Sequence, residues 1–231
     1  MNILEKTVEI NKSLAKEKLV MFTWGNASVF DPEVGIVYIK PSGVPFGDLK
    51  ESDVSQIKVE TGELIDGLKP SVDTPTHLEL FRSFKGVRSV IHTHSKYCTI
   101  FAQAKMDIPC LGTTHADYFY GGVPLVPALT EQEIIHDYEA NTGKRITQHF
   151  NDRHISPLQV KAALCPSHGV FVWGETADEA LSNAIILENV AEMAYKTIMM
   201  CYSAGDHITF DMNLLRKHFL RKHGEGSYYG Q

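Results

Sequence analysis

The chain has 231 residues, 43% hydrophobic and 22% charged, a composition that supports one sizeable buried core. A net charge of -6 excludes a general nucleic-acid binder, because neutralising a phosphate backbone needs surplus Lys and Arg. No apolar run reaches the ~18 residues of a membrane span, and Cys98, Cys110, Cys165 and Cys201 form no CxxC pair, which excludes a disulfide framework or thiolate zinc site.

The opening MNILEKTVEINKSLAKEK predicts an amphipathic helix with mixed charges, without the apolar stretch of a secretory leader, so a cytoplasmic protein is expected. Gly25–Ser28 reads as a turn. GIVYIK (Gly35–Lys40) has strand composition and is broken by Pro41–Gly43. QIKVE (Gln56–Glu60) alternates as a strand and stops at Thr61 and Gly62. Ser71–Phe84 carries a helix start, with Asp73 or Thr74 as cap and Pro75 at the first helical position.

RSVIHTHS (Arg88–Ser95) reads as a strand, followed by a helix through Lys105. One helix is predicted from Glu131 to about Phe150. Ala162–Gly174 reads as two strands meeting at a bend near Ser167–Gly169. Thr176–Met200 and Asp211–His223 are helices. No repeat or linker divides the chain, so a single domain spanning residues 1–231 is expected. The interleaved elements give an α/β fold, a sheet flanked by helices.

His92-Thr93-His94 is the strongest local chemical signal. Strand side chains alternate faces, so two histidines two apart point the same way and can chelate one ion. An isolated HxH is more often a polar strand face. Here the preceding apolar RSVI makes the strand buried, and a buried histidine pair without partners is costly. His168, at the bend, and Asp73, at a helix start, carry no such weight alone: bend residue and helix cap are their ordinary readings. Spacing does not connect them to the HxH.

Several segments together resemble the class II aldolase and L-ribulose-5-phosphate 4-epimerase family: TWGNAS (Thr23–Ser28), IKPSG (Ile39–Gly43), SVDTPTH (Ser71–His77), IHTHS (Ile91–Ser95), GTTHADYFYGG (Gly112–Gly122), PSHGVFVWG (Pro166–Gly174) and the ending KHFLRKHGEGSYYGQ (Lys217–Gln231). The resemblance reaches nearly the whole chain. DTPTH, GTTHADYFYG and the YYGQ ending are similar to the epimerase branch; fuculose-phosphate aldolases carry Glu where Asp73 stands. It implies an αβα sandwich around a mostly antiparallel sheet. It further implies a homotetramer with active sites between subunits, and one zinc per subunit on Asp73, His92, His94 and His168, with manganese or cobalt as substitutes.

The implied reaction interconverts L-ribulose 5-phosphate and D-xylulose 5-phosphate by retro-aldol cleavage and re-formation of C3–C4. This step is shared by the use of L-arabinose, ascorbate and L-xylulose. The resemblance places acid/base groups at Asp117 and Tyr229. Thr113 orients the aldehyde, and Glu139, His218 and Arg221 are further candidates. Gly25, Asn26, Lys40, Ser42, Gly43, Ser71 and Val72 form the expected phosphate set of turn amides, hydroxyls, one ammonium and a helix N-terminus. Val72 departs from the family, whose members often have Ser there. Three rivals stand beside the epimerase: an aldolase that releases the aldehyde, a non-enzymatic module like the adducin head domain, which should have lost the metal ligands, and a zinc hydrolase, whose HxH strand is matched here without any further hydrolase motif.

Overall fold

Helix α1 (Ile3–Lys16) starts at a reciprocal cap: the Asn2 side chain accepts from the Glu5 N–H, and the Glu5 carboxylate accepts from the Asn2 N–H, both at 2.8 Å. Its inward face buries Thr7, Ile10, Asn11 and Leu14. Asn11 then binds the first strand edge-on, donating to the Ala27 carbonyl at 3.0 Å and accepting from the Ala27 N–H at 2.8 Å. A polar side chain in the core is tolerated there because every one of these groups is paired. The computed structural model describes residues 2–204 and 208–229; Gly230 and Gln231 of the YYGQ ending lie outside the described residues.

Among the described residues seven strands form one sheet: β1 (Asn26–Asp31), β2 (Ile36–Ile39), β3 (Ser55–Lys58), β4 (Leu64–Asp66), β5 (Ser89–Thr93), β6 (Ala162–Cys165) and β7 (Gly169–Gly174). Their spatial order is β4-β3-β2-β1-β5-β7-β6, and every neighbouring pair is antiparallel. Helices α2 (Thr74–Ser83), α3 (Lys96–Ala104), α4 (Thr113–Ala116), α5 (Glu131–Ile135), α6 (Tyr138–Asp152), α7 (Ala177–Ala204) and α8 (Met212–His223), with a 3-10 turn at Glu51–Asp53, complete the described elements. Strands β5 and β7 are buried at every position, as central strands covered on both faces must be. Helix α7 packs on β5 and β7, α1 on β1 and β2, and α3 on β6 and β7. On β7, Phe171 and Trp173 share a face and meet His77 and Phe84 of the α2 segment.

The expected α/β sandwich with an antiparallel sheet is what the chain forms, with local differences. Asn26–Ser28 belongs to strand β1 rather than a turn: Asn and Ser favour turns locally, but pairing with β2 and β5 on both sides overrides that preference. The strand expected at Gln56–Glu60 runs Ser55–Lys58, and the short edge strand β4 carried no sequence signal. The single helix expected from Glu131 to Phe150 is two helices, broken at His136 and at Asp137, whose φ is +55°. Asp73 stands at the α2 cap position, but its side chain makes no capping bond.

Two predictions follow from this packing. Phe150, from α6, touches Phe84 and Trp173 with ring centroids 5.3 Å from each. Phe150→Ala should cost about 3–5 kcal/mol of unfolding free energy by urea denaturation, from lost burial and the cavity left behind. Burial pushes His77 and His115 down to about 4, so both stay neutral in the fold while their unfolded forms take up protons near 6.5. Stability from these groups is therefore present above pH ~6.5 and lost as pH falls toward ~4, at up to about 1.4 kcal/mol per pH unit for each. Urea midpoints of metal-stripped protein at pH 7 and pH 5 measure this directly; a flat dependence contradicts it.

Candidate metal centre and its cavity

Strand β5 ends at Thr93, so His92 lies within the hydrogen-bonded ladder and His94 just beyond it. The expected same-side placement holds: their Nε2 atoms are 3.1 Å apart. His168 arrives from the β6–β7 turn, where Ser167 takes φ +58°. One nitrogen from each of His92, His94 and His168 can be chosen so that all lie within 4.8 Å of one another. That convergence fits a single cation. Gly169 makes it sterically feasible, since a Cβ there would lie 2.6 Å from the Thr93 carbonyl oxygen and 2.8 Å from the His94 ring.

The protonation pattern also fits. His92 Nδ1 is 3.0 Å from the Val170 carbonyl oxygen. A carbonyl only accepts, so Nδ1 carries the hydrogen and Nε2 presents its lone pair. Burial, above all, keeps all three imidazoles in the neutral form that a metal requires, shifting His92, His94 and His168 downward.

Asp73 lines the same cavity without joining the tight histidine set. Its Oδ2 accepts from Asn26 Nδ2 at 2.7 Å. Burial opposes its charge, but the nearby His92 and His77, the Asn26 hydrogen bond and His168 together hold the carboxyl below its ordinary range. The cavity measures about 300 Å³, and Gly25, Asn26, Ser42, Gly43, Ser71, Val72 and Glu139 all border it. Gly25, at φ +87°, is required here: a Cβ would lie 2.8 Å from the His92 carbonyl oxygen.

Other expected residues lie elsewhere. Lys40 is 1% exposed and does not border this cavity; its ammonium donates to the Pro41 carbonyl at 3.3 Å and stands 4.7 Å from the Phe46 ring. Burial lowers it to about 8. Thr113, Asp117, His218, Arg221 and Tyr229 are likewise absent from the cavity wall. Four of these five form a second cluster where α8 meets α4. Asp117 receives Arg221 at 3.1 Å and 2.8 Å and lies 3.2 Å from His218 Nδ1. The Arg221 guanidinium stacks 4.0 Å from the Tyr229 ring centroid. In the basic run 215–224, Leu215 and Phe219 are buried and Arg221 binds Asp117.

Tyr138 borders the cavity and places its hydroxyl 3.2 Å from His168 Nδ1. No sequence motif marks it; the helix break at His136–Asp137 makes Tyr138 the first residue of α6 and turns it to the cavity. Among the described residues, no helix is long and apolar enough to cross a membrane.

Comparisons with known proteins agree with this fold. The chain resembles the solved structure of an L-fuculose 1-phosphate aldolase, with TM-score 0.75, 22% identity, 93% of this chain and 94% of that one covered. It is also similar to YgbL, a putative aldolase/epimerase/decarboxylase. The Klebsiella pneumoniae protein gives TM-score 0.72 at 24% identity, covering 93% and 96% of the two chains. The Escherichia coli protein gives 0.71 at 25% identity with the same coverage. Residues 5–195 match the family described as the class II aldolase and adducin N-terminal domain. With that match over most of its length, and three imidazoles gathered at the end of a central strand, the chain belongs to the class II aldolase and adducin N-terminal domain family.

Proposed function

We propose that this chain is a metal-dependent epimerase that interconverts L-ribulose 5-phosphate and D-xylulose 5-phosphate. The observation that carries the reading is the convergence of His92, His94 and His168 on a cavity that also holds Asp73 and an anion-suited rim of Ser42, Gly43 and Ser71. Three neutral imidazoles and one carboxylate, together with retained rather than lost ligands, favour an enzyme over an interaction module. Asp73, in place of the Glu of fuculose-phosphate aldolases, favours the epimerase over the aldolase.

The chemistry requires such a site. C4 of the ketose is not adjacent to the carbonyl, so its hydrogen is not acidic and direct deprotonation fails. Breaking C3–C4 instead sends the bonding pair into an enediolate of dihydroxyacetone and turns C4 into the aldehyde of glycolaldehyde phosphate. The C4 hydroxyl gives up its proton. Rotation of the aldehyde and re-formation of the bond on its other face inverts C4. Asp73, His92, His94 and His168 would hold a zinc ion, which would supply the Lewis acidity that this negative charge needs. The Ser42, Gly43 and Ser71–Val72 rim holds the phosphate and keeps the aldehyde fragment from leaving while it turns.

Proton transfer on the two faces falls to Asp117 and Tyr229. Since neither borders the cavity of its own chain, the reading requires them to come from a neighbouring copy. Trp24 borders the cavity, and Met21, Phe22 and Trp24 expose large apolar side chains beside it, the kind of surface a second subunit covers. In this assembly Arg221 and His218 orient the Asp117 carboxylate, and Thr113 and Glu139 position the aldehyde.

Purified protein given L-ribulose 5-phosphate should accumulate D-xylulose 5-phosphate without stoichiometric loss of ketopentose; release of glycolaldehyde phosphate and dihydroxyacetone would instead establish the aldolase. His94→Asn should lose bound metal, by elemental analysis, and activity together. Asp73→Asn and Asp117→Asn should each be nearly inactive alone, yet mixed and reassembled subunits should regain activity, because some cavities then pair an intact metal site with an intact Asp117. Absence of complementation would place both groups in one subunit's site.

A further inference from the structure

The retro-aldol chemistry does not call on Tyr138, yet the fold holds it firmly at the metal cavity. Its helix begins at a forced break, where Asp137 takes φ +55°, a conformation costly for a residue other than glycine. Asn141 seals the break, donating from Nδ2 to the His136 carbonyl at 2.7 Å and to the Glu133 carbonyl at 3.2 Å. Thr76 of α2 donates from Oγ1 to the Glu139 carbonyl at 2.6 Å. Gly143 lets the two helices close, since a Cβ there would lie 2.7 Å from Glu79 Cβ and 3.1 Å from Thr76 Cα. The first turn of α6 is thereby fixed against the helix whose cap residue is Asp73.

The hydroxyl of Tyr138 meets His168 Nδ1 at 3.2 Å. In a neutral imidazole one nitrogen donates and the other accepts. Were the hydroxyl the donor, the ring hydrogen would sit on Nε2 and block its lone pair. With the hydroxyl oxygen as acceptor, Nδ1 carries the hydrogen and Nε2 is open. His92 follows the same plan, its Nδ1 facing the Val170 carbonyl and its Nε2 facing His94. Both rings therefore have Nδ1 engaged by the protein and Nε2 left for a shared ligand. A carbonyl enforces this tautomer on His92, because it only accepts. A hydroxyl serves either tautomer, and a cation on Nε2 selects the one in which it accepts.

We propose that Tyr138 is a positioning residue for His168: its hydroxyl oxygen accepts the Nδ1 hydrogen and presents Nε2 to the cation. This rests on the reading of Asp73 and the three histidines as ligands of one divalent cation. His168 depends on such a partner more than His92 does. His92 is set within the β5 ladder, whereas His168 stands on the turn between β6 and β7, beside Ser167 at φ +58°. A hydrogen-bond partner on the far nitrogen fixes the ring and sets how tightly the ligand set holds its metal.

The test measures zinc affinity of metal-stripped protein by competition with a chromophoric chelator, for wild type, Tyr138→Phe and His94→Asn. Phe keeps the ring and removes only the hydroxyl. Circular dichroism melting of each stripped protein identifies the variants that fold. Tyr138→Phe should bind zinc about tenfold to hundredfold more weakly, and its turnover at limiting zinc should fall and recover as zinc is raised. Wild-type zinc affinity in folded Tyr138→Phe overturns the proposal; turnover lost at that affinity would place the hydroxyl on the substrate instead. A second measurement needs no change at Tyr138. Nitrogen-15 spectra of the zinc-loaded protein, with the signals absent from His168→Gln identifying the ring, should show hydrogen on Nδ1 and zinc at Nε2 of His168. Zinc on Nδ1 overturns the role of Tyr138. Retention of zinc by His94→Asn at wild-type affinity overturns the metal-site reading itself, and this proposal with it.

Discussion

Keeping three imidazoles uncharged and pointed at one another is the constraint around which this molecule is built. Imidazoles this close repel if protonated, and burying them selects the neutral form. Each is then supported differently. The Val170 carbonyl fixes the hydrogen of His92, the Tyr138 hydroxyl meets His168, and His94 stands against His92 itself. The antiparallel β1–β5–β7 ladders supply the backbone precision, and Gly25 and Gly169 remove the two Cβ atoms that would otherwise press into this cluster. Stability and chemistry draw on the same burial here. Dry surroundings that keep the rings neutral also strengthen any charge interaction inside the cavity.

The parts of this arrangement that follow from short-range periodicity were legible in the sequence. The HxH pair was visible because a strand repeats every two residues. Helix α2 was visible because Pro75 and the cap residues mark its start. His168 and Asp73 were not derivable from spacing, since they reach the site through the sheet order, which joins residues far apart in the chain; only the resemblance of their flanking motifs singled them out. Strand β1 was hidden for a physical reason: Asn26, Ala27 and Ser28 have weak strand preference and are held in place by neighbours on both sides.

Side-chain roles were harder still. Asn26 and Lys40 were both read as groups for an anion, from residue type and turn context. In the fold, the amide of one also bonds Asp73 and Ser71 at the cavity wall, and the ammonium of the other is turned toward Phe46 and the Pro41 carbonyl. Residue type indicates what a group is able to donate, but only the packed structure shows where those donors are spent. Tyr138 illustrates the converse, an aromatic with no motif that becomes a neighbour of His168 because the chain breaks between α5 and α6.

The bond between Asp117 and Arg221 fastens the last helix to the middle of the chain. Asp117 is 7% exposed, so its carboxylate can shed little of its charge to water once α8 is packed against α4. Helix α8 contributes to that burial and carries the cation with it, so the acid is desolvated and paired in one step. A chain that stopped before residue 212 would leave the Asp117 carboxylate without the guanidinium that orients it, so the last helix is what completes the surroundings of this acid.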